Sequence, residues 1–247
     1  MCGIFVSQKI ALVTGGAKRI GARICTDLVN EGWHVILHYN RSLEPAQDLA
    51  NEVGAENFTL LQADFTNHEE VKKFACAVKN LEVVNSCGGL DLIVHNASIF
   101  YTTEATNFDW SESENYFAIH HNSPALINSI LFESLKKKSG SVVGIIDTSQ
   151  GKGWKNLGVY SASKVALKQN LLSAAVEFAP SVRVNCVCPG AIMLADWEEE
   201  NENDLVEKIP LKRLGNPSDI SSAVIFLANS GYITGQSIYV DGGWSIS

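Results

Sequence analysis

Tyr160 and Lys164 lie four residues apart at the start of a stretch with helical spacing. Residues i and i+4 of a helix share one face, so the phenol and the ammonium group are expected side by side. A phenol has a pKa of about 10, and an ammonium group about 4 Å away favours the phenolate by ~4 kcal/mol at an effective dielectric constant near 20. The pair therefore predicts a tyrosine that transfers protons near neutral pH. Such pairs also occur on solvated helix faces, so the assignment depends on the motifs around it.

A glycine-rich segment, Thr14–Gly21, follows the first apolar run of the chain and leads into a helical pattern. Gly15 permits a tight turn, and Gly21 allows the helix to pack closely on the preceding strand. The start of the helix offers free N–H groups and the positive end of its dipole to a pyrophosphate. The residues expected at this position are Lys18, Arg19 and Ile20. The segment predicts a dinucleotide-binding turn.

The end of the second apolar run indicates which dinucleotide is bound. A protein that binds NAD has an Asp or Glu there, which holds the ribose 2′-hydroxyl. This sequence has no acid before Glu44 and contains instead Tyr39, Asn40, Arg41 and Ser42. Arg41, Ser42 and Arg19 from the glycine-rich segment can hold a 2′-phosphate through charge-assisted hydrogen bonds. The predicted cofactor is therefore NADP(H).

Short apolar runs alternate along the chain with longer helical patterns. Runs rich in Val, Ile and Leu are typical of strands buried on both faces, and they occur at Ile10–Val13, Val35–His38, Phe58–Gln62, Leu92–His95, Val142–Ile146, Val182–Val187 and Ser237–Val240. The helical patterns include Ile20–Glu31, Arg41–Val53, Tyr116–Lys138, Tyr160–Phe178 and Ser218–Ala228. This alternation predicts one α/β domain over residues 1–247, a Rossmann-type, doubly wound, parallel seven-stranded sheet with helices on both faces.

With these elements in place, the chain resembles the short-chain dehydrogenase/reductase family over essentially its whole length. The resemblance is carried by TGGAKRIG (14–21), HNAS (95–98), YSASK (160–164), CPG (188–190) and ITGQSIYVDGG (233–243). It implies that Tyr160 and Lys164 are catalytic and that Asn122 supports the lysine through water. It also implies a homotetramer, a mobile substrate loop at about 191–210, and cofactor contacts from Asp64, Phe65, Asn96, Ala97, Ser98, Pro189 and Gly190.

Asp147 departs from the family pattern. The usual active-site serine lies 13 residues before the tyrosine, and in this sequence that position is Asp147, followed by Thr148 and Ser149. A carboxyl group beside a phenol suits a substrate with ring nitrogens, because it can accept a hydrogen bond from an N–H or relay a proton. A slipped loop would instead present the hydroxyl of Thr148 or Ser149.

Asp147, Arg19 and Phe100 together resemble the pteridine reductase and dihydromonapterin reductase branch of the family. In that branch the aspartate replaces the serine, and an aromatic ring at the position of Phe100 stacks on the pterin. The resemblance implies substrate contacts from Ser98, Phe100, Asp147 and Tyr160.

The expected reaction is NADPH-dependent reduction of a pterin or dihydropterin, of the dihydrobiopterin, dihydromonapterin or dihydrofolate type. A hydride reaches the carbon of a ring C=N bond, and Tyr160 donates the proton. One alternative is a carbonyl reductase, such as a 3-oxoacyl-thioester reductase. A further alternative is a non-catalytic NADP(H)-binding protein.

Composition and charge argue against several other classes. The formal net charge of −8 does not favour binding to nucleic acid. No apolar stretch approaches the roughly 20 residues of a membrane span, and residues 1–9 lack the pattern of a secretory signal. The six cysteines contain no CxxC pair, and the adjacent His120 and His121 would diverge on a helix, so no metal site is expected. We therefore expect a cytoplasmic protein.

Overall fold

The computed structural model describes residues 8–148, 152–194 and 202–247. Within these ranges the chain forms a seven-stranded sheet in the order β3-β2-β1-β4-β5-β6-β7. Each pair of neighbouring strands is parallel. The strands are β1 (Ile10–Val13), β2 (His34–Tyr39), β3 (Phe58–Gln62), β4 (Leu92–His95), β5 (Ser141–Ile145), β6 (Arg183–Pro189) and β7 (Ser237–Val240). The predicted fold class is confirmed.

The α-helices cover both faces of this sheet. They are α1 (Arg19–Asn30), α2 (Leu43–Val53), α3 (His68–Asn80), α4 (Glu82–Ser86), α5 (Trp110–Phe117), α6 (Ser123–Lys137), α7 (Gly158–Glu177), α8 (Glu202–Lys208) and α9 (Pro217–Asn229). Buried side chains of α1, α2 and α9 belong to one hydrophobic cluster, and those of α3, α6 and α7 belong to another.

The strand β1 shows how the sequence produces two layers of core. All four of its residues are buried, and successive side chains point to opposite faces. Ile10 and Leu12 pack into the cluster with α3, α6 and α7, whereas Ala11 and Val13 pack into the cluster with α1, α2 and α9. A continuous apolar run is therefore required here, because neither face of the strand meets water.

The predicted helix Tyr116–Lys138 is interrupted. The structure has α5, then a π-helical turn at Ala118–Asn122, then α6. Pro124 lies in the first turn of α6 and has no N–H to donate to the carbonyl of His120. Its ring also crowds the carbonyl four residues before it, so a regular α-helical turn cannot pass through this point.

The order of the strands locates a crevice. The chain runs outward from β1 to β2 and β3 on one side, and from β4 to β7 on the other. In a parallel α/β sheet, ligands bind beyond the carboxyl ends of the strands at the point where the order reverses. In this sheet that point lies between β1 and β4.

Candidate active site

The turn between β1 and α1 requires glycine at two positions. Gly15 has a φ of 64°, and a Cβ there would lie 2.8 Å from the Cα of Ala97. A Cβ on Gly21 would lie 2.1 Å from the carbonyl oxygen of Gly15. Both contacts are closer than heavy atoms tolerate, so the tight turn and the close helix packing expected from the sequence depend on glycine.

Thr14 and Asn96 tie this turn to the loop after β4. The Thr14 hydroxyl oxygen accepts hydrogen bonds from the N–H groups of Asn96 (3.0 Å) and Ala97 (3.1 Å). The Asn96 amide in turn donates to the carbonyls of Thr14 (3.1 Å) and Gly15 (2.9 Å). The two loops that flank the crevice therefore form one hydrogen-bonded unit.

His38, at the end of β2, supports the same turn and was not recognised from the sequence. Its Nδ1 accepts the N–H of Gly15 (3.1 Å), so Nε2 carries the proton and donates to the carbonyl of Ala63 (3.1 Å). Burial lowers the pKa of His38 to about 4, which keeps the ring neutral. The Phe65 ring is buried and stacks on His38, with ring centres 3.9 Å apart. Its predicted contact with the cofactor stays a prediction.

The start of α7 brings Tyr160 and Lys164 to the crevice. The Tyr160 hydroxyl donates a hydrogen bond of 2.8 Å to Oδ2 of Asp147, which follows β5. The Lys164 Nζ donates to the carbonyl of Ile145 at 3.0 Å and lies 5.9 Å from the centre of the Tyr160 ring. The three side chains expected to carry the chemistry therefore meet at the carboxyl end of β5.

Lys164 is a buried cation, with 3% of its surface exposed. Burial lowers its pKa from 10.5 to about 8, while the negative charge of Asp147 opposes this shift. The ammonium form still predominates at neutral pH. This charge can stabilise a phenolate on Tyr160.

The hydroxyl of Thr148 does not replace Asp147. Thr148 is buried, and its Oγ1 donates a hydrogen bond of 2.7 Å to Oδ2 of Asp241 near the C-terminus. Ser149, the other hydroxyl considered from the sequence, lies outside the described residues. In the described part of this loop, Asp147 is the residue that contacts Tyr160.

A cavity of about 470 Å³ opens above these groups. Most of the residues predicted for the cofactor and substrate line it: Gly15, Lys18, Arg19, Ile20, Gly21, Asn96, Ala97, Ser98, Phe100, Asp147, Tyr160, Lys164, Pro189 and Gly190. Phe100 lies edge-to-face with Tyr160, with ring centres 4.8 Å apart. Trp154 and Trp244, which sequence reasoning missed, add an aromatic wall, with ring centres 5.0 Å apart.

The remaining cofactor residues lie at the ends of β2 and β3, outside the lining of this cavity. Tyr39 ends β2, and Asn40, Arg41 and Ser42 lead into α2. The pKa of Asp64 is lowered chiefly by a hydrogen bond from the Thr66 N–H, and further by the Asn40 amide and the charge of Arg41. These groups form a polar corner next to the crevice.

Arg19 makes its described contacts elsewhere. Its guanidinium donates to the carbonyls of Met193 and Leu194, in the loop after β6. Its approach to the corner of Arg41 and Ser42 stays a prediction. The contact instead joins the glycine-rich turn to the start of the predicted substrate loop, of which residues 195–201 lie outside the described ranges.

Asn122 is also not brought to the catalytic groups. It is exposed, and its Oδ1 is 2.8 Å from Nδ1 of the neighbouring His121. The buried residue of this turn that faces Tyr160 is His120, with ring centres 5.8 Å apart. The helical spacing from the buried Tyr116 to His120 was a signal in the sequence that could have identified it.

Two further features are absent from the described residues. None of the helices in these ranges is both long and apolar enough to cross a membrane. The same ranges contain no group of three or more His, Cys, Asp or Glu side chains arranged to hold a metal ion.

Comparisons with known proteins cover nearly the whole chain. A family model described as enoyl-(acyl carrier protein) reductase matches residues 15–245. The 3-oxoacyl-[acyl-carrier-protein] reductase FabG of Staphylococcus epidermidis is 33% identical over 248 residues, covering 96% of this chain and 98% of that protein. Carbonyl reductase family member 4 of Danio rerio is 34% identical over 243 residues, covering 96% and 98%. The crystal structure of FolM alternative dihydrofolate reductase 1 from Brucella canis, complexed with NADP, aligns at 32% identity with a TM-score of 0.86, covering 98% of this chain and 96% of that chain.

The burial of Lys164 leads to a testable pH dependence. We expect the Lys164 ammonium group to titrate near pH 8, so that it is lost as the pH rises through this value. Replacing Asp147 with Asn should lower the midpoint further, because the carboxylate raises the pKa of Lys164. NMR titration of ¹³C-labelled lysine side chains measures both values. The reference is the ordinary lysine pKa of about 10.4. A Lys164 midpoint at that ordinary value would contradict the assignment.

Proposed function

The chain belongs to the short-chain dehydrogenase/reductase family, and we propose that within this family it is an NADPH-dependent reductase of a pterin or dihydropterin. The observation that carries the proposal is the hydrogen bond between Tyr160 and Asp147. The likeness of the fold to a FolM alternative dihydrofolate reductase supports it.

The residues of the crevice fit a dinucleotide. No side chain among the described residues caps the N-terminus of α1, so its N–H groups remain available to a pyrophosphate. The Ser42 hydroxyl likewise makes no capping bond to α2 within the described structure, and Arg41 precedes it. Because no Asp or Glu stands between the end of β2 and Glu44, Arg41 and Ser42 suit a 2′-phosphate. NADPH, when bound, supplies the hydride that reduces the substrate.

Tyr160 acts as the proton donor in this proposal. As a hydride reaches the ring carbon of a C=N bond, the Tyr160 hydroxyl gives its proton to the adjacent nitrogen and becomes a phenolate. The Lys164 ammonium group stabilises that phenolate by its charge. Asp147 holds the hydroxyl in the protonated state and orients it before the transfer.

Asp147 also discriminates between substrates. An ionised carboxylate only accepts hydrogen bonds, and its two oxygens can hold Tyr160 and a ring N–H together. A pterin offers such N–H donors. A ketone offers only an oxygen that gains negative charge as it is reduced, and a carboxylate beside it raises the energy of that charge. Asp147 therefore favours a nitrogen heterocycle over a carbonyl group.

Phe100 provides a surface for a flat ring. It lines the cavity and packs edge-to-face on Tyr160, so its position is fixed by a contact with the catalytic residue. Trp154 and Trp244 lie on the same cavity and extend the aromatic surface. A planar heterocycle gains contact area from such walls without losing conformational freedom of its own.

Reduction of a 3-oxoacyl thioester is the second candidate. It is favoured by the 33% identity to a 3-oxoacyl-[acyl-carrier-protein] reductase over nearly the full length of both chains. Asp147 at the hydroxyl position opposes it for the electrostatic reason above. A non-catalytic NADP(H)-binding protein is disfavoured, because Tyr160, Asp147 and Lys164 stand together at the cavity.

The first prediction of this proposal concerns the cofactor. NADPH should bind at least about tenfold more tightly than NADH, since one charge-assisted hydrogen bond contributes about 1.5–3 kcal/mol. Arg41→Asp should abolish or invert this preference. Isothermal titration measures both dissociation constants. Lys73→Asp makes the same change of charge on the exposed face of α3 and should leave the preference intact. Equal affinities in the unmodified protein would refute a 2′-phosphate site.

The second prediction tests the substrate. NADPH oxidation is measured with dihydrobiopterin, dihydromonapterin, dihydrofolate and an acetoacetyl thioester. We expect turnover of at least one pterin, and we expect Asp147→Ser to lower its kcat/KM by at least about tenfold, the loss of one charged hydrogen bond. The same variant should retain or increase activity on the thioester.

Tyr160→Phe is the matched control for that experiment. It removes the proton donor, so it should lower turnover of every substrate by about 10²–10⁴-fold while NADPH still binds. If the thioester alone is reduced, the carbonyl candidate replaces the pterin proposal. If Asp147→Ser reduces the pterin as well as the parent does, Asp147 does not determine the substrate.

A further inference from the structure

The imidazole of His120 is fully buried in the π-helical turn between α5 and α6. It lies between the loop after β4 and the first turns of α7, and both of its nitrogens have partners. Nδ1 is 2.7 Å from the Ser163 hydroxyl, and Nε2 is 2.8 Å from the Ser98 hydroxyl. The N–H of Ile99 also donates to Nε2, at 3.3 Å.

These contacts determine where the proton of the ring lies. A backbone N–H can only donate, so Nε2 accepts from Ile99 and carries no proton. Nδ1 therefore bears the hydrogen and donates it to the Ser163 oxygen. The Ser163 hydroxyl passes its own hydrogen to the carbonyl of Tyr160 at 2.7 Å. A series of hydrogen bonds thus connects the loop of Ser98, through His120 and Ser163, to the backbone carbonyl of Tyr160.

The surroundings keep the ring neutral. The groups that face it are the phenols of Tyr116 and Tyr160, with ring centres at 5.6 Å and 5.8 Å, and the buried ammonium of Lys164, with Asp147 beyond Tyr160. Burial, and then the charge of Lys164, hold the pKa of His120 well below 6.5. A second proton would also sit on Nε2, opposite the N–H of Ile99.

We propose that His120 is a positioning residue of the reduction, a neutral Nδ1–H imidazole that holds Tyr160 in register with the Ser98 loop. The proposal rests on the proposed role of Tyr160 as proton donor. His120 transfers no proton itself. It fixes the first turns of α7 against the loop that lines the other side of the cavity, so that the phenol and the substrate nitrogen meet at hydrogen-bonding distance.

Two substitutions of His120 separate its hydrogen bonds from its bulk. His120→Phe fills the space but can neither accept from Ile99 nor donate to Ser163. His120→Gln provides one acceptor and one donor on a chain of similar length. We expect kcat to fall by about 10–100-fold in His120→Phe, the scale of a small misplacement of a catalytic group. His120→Gln should recover it to within about threefold, and KM for NADPH should change little in either variant.

His34→Phe is the matched control. His34 is a buried histidine at the amino end of β2, and its Nε2 is 2.8 Å from the Thr59 hydroxyl. Its replacement also removes a hydrogen bond inside the fold, but at the amino ends of the strands, whereas the cavity lies at their carboxyl ends. It should change the melting temperature without changing kcat.

If His120→Phe does not fold, a second variant tests the same series of hydrogen bonds. Ser163→Ala removes one hydroxyl and should lower kcat by about three- to tenfold. In the double variant with His120→Gln, the losses should not multiply, because the two side chains act through one chain of hydrogen bonds.

Two further measurements distinguish positioning from proton transfer. Imidazole ¹⁵N spectra of the protein without substrate should show His120 as the Nδ1–H tautomer from about pH 6 to pH 9. The pH profile of kcat, measured with the substrate that the panel identifies, should keep both limbs in His120→Gln. The ¹⁵N spectra need no substrate, so they test the tautomer of His120 independently of the proposed function.

Three results would overturn the proposal. One is an Nε2–H tautomer or a protonation step in that pH range. Another is kcat within about twofold of the parent in His120→Phe, or equal losses in the Phe and Gln variants. The third is the disappearance of one limb of the pH profile in His120→Gln, which would make His120 a proton carrier.

Discussion

The buried ammonium group of Lys164 constrains the groups around it. A cation removed from water is stable only when neighbouring atoms replace its hydration, and here the carbonyl of Ile145 and the negative charge of Asp147 do so. The same charge disfavours a second positive charge close to it. His120 accordingly stays neutral, and its two nitrogens are committed to neutral partners. The burial of Lys164 therefore both places a positive charge beside Tyr160 and helps to keep the imidazole of His120 neutral.

Two buried histidines bind loop N–H groups in the same way. His38 accepts the N–H of Gly15 and donates to the carbonyl of Ala63, and His120 accepts the N–H of Ile99 and donates to Ser163. Each provides an acceptor for a partly buried backbone N–H. Each also joins segments from different elements. The imidazole suits this use because it is rigid and has a donor and an acceptor on opposite sides of the ring.

The site combines features of two kinds of relative. The scaffold and the Tyr160–Lys164 pair are compatible with carbonyl reduction, as in the FabG relative, and with dihydrofolate reduction, as in the FolM neighbour. Under the proposed function, Asp147 beside the hydroxyl of Tyr160 separates the two reactions. A neutral hydroxyl can donate to a developing oxyanion, whereas a carboxylate can only accept. On this proposal one side chain after β5 changes which substrate is stabilised, without any change of fold.

The sequence by itself determined the strands and the glycine-rich turn. The bounds of β1, β3, β4 and β7 coincide with its apolar runs. For β1 and β4 the reason is that a strand buried on both faces must be apolar at nearly every position. The edge strands β3 and β7 are only partly buried. The requirement for Gly15 and Gly21 was also visible, since a tight turn followed by a closely packed helix after β1 depends on glycine. Tyr160, Lys164 and Asp147 could be brought together because they stand at the ends of neighbouring elements of a predictable topology.

The tertiary structure decided the contacts that depend on which way a side chain points. Asn122 lies outside and His120 inside because Pro124 interrupts the helix and the buried face continues from Tyr116. Thr148 turns to Asp241, and Arg19 turns to the loop after β6, because partners distant in sequence lie there. No local pattern records those partners. These contacts form only when separate elements pack together. The sequence therefore specified the chemical groups of the site, and the tertiary packing determined which neighbouring residues support them.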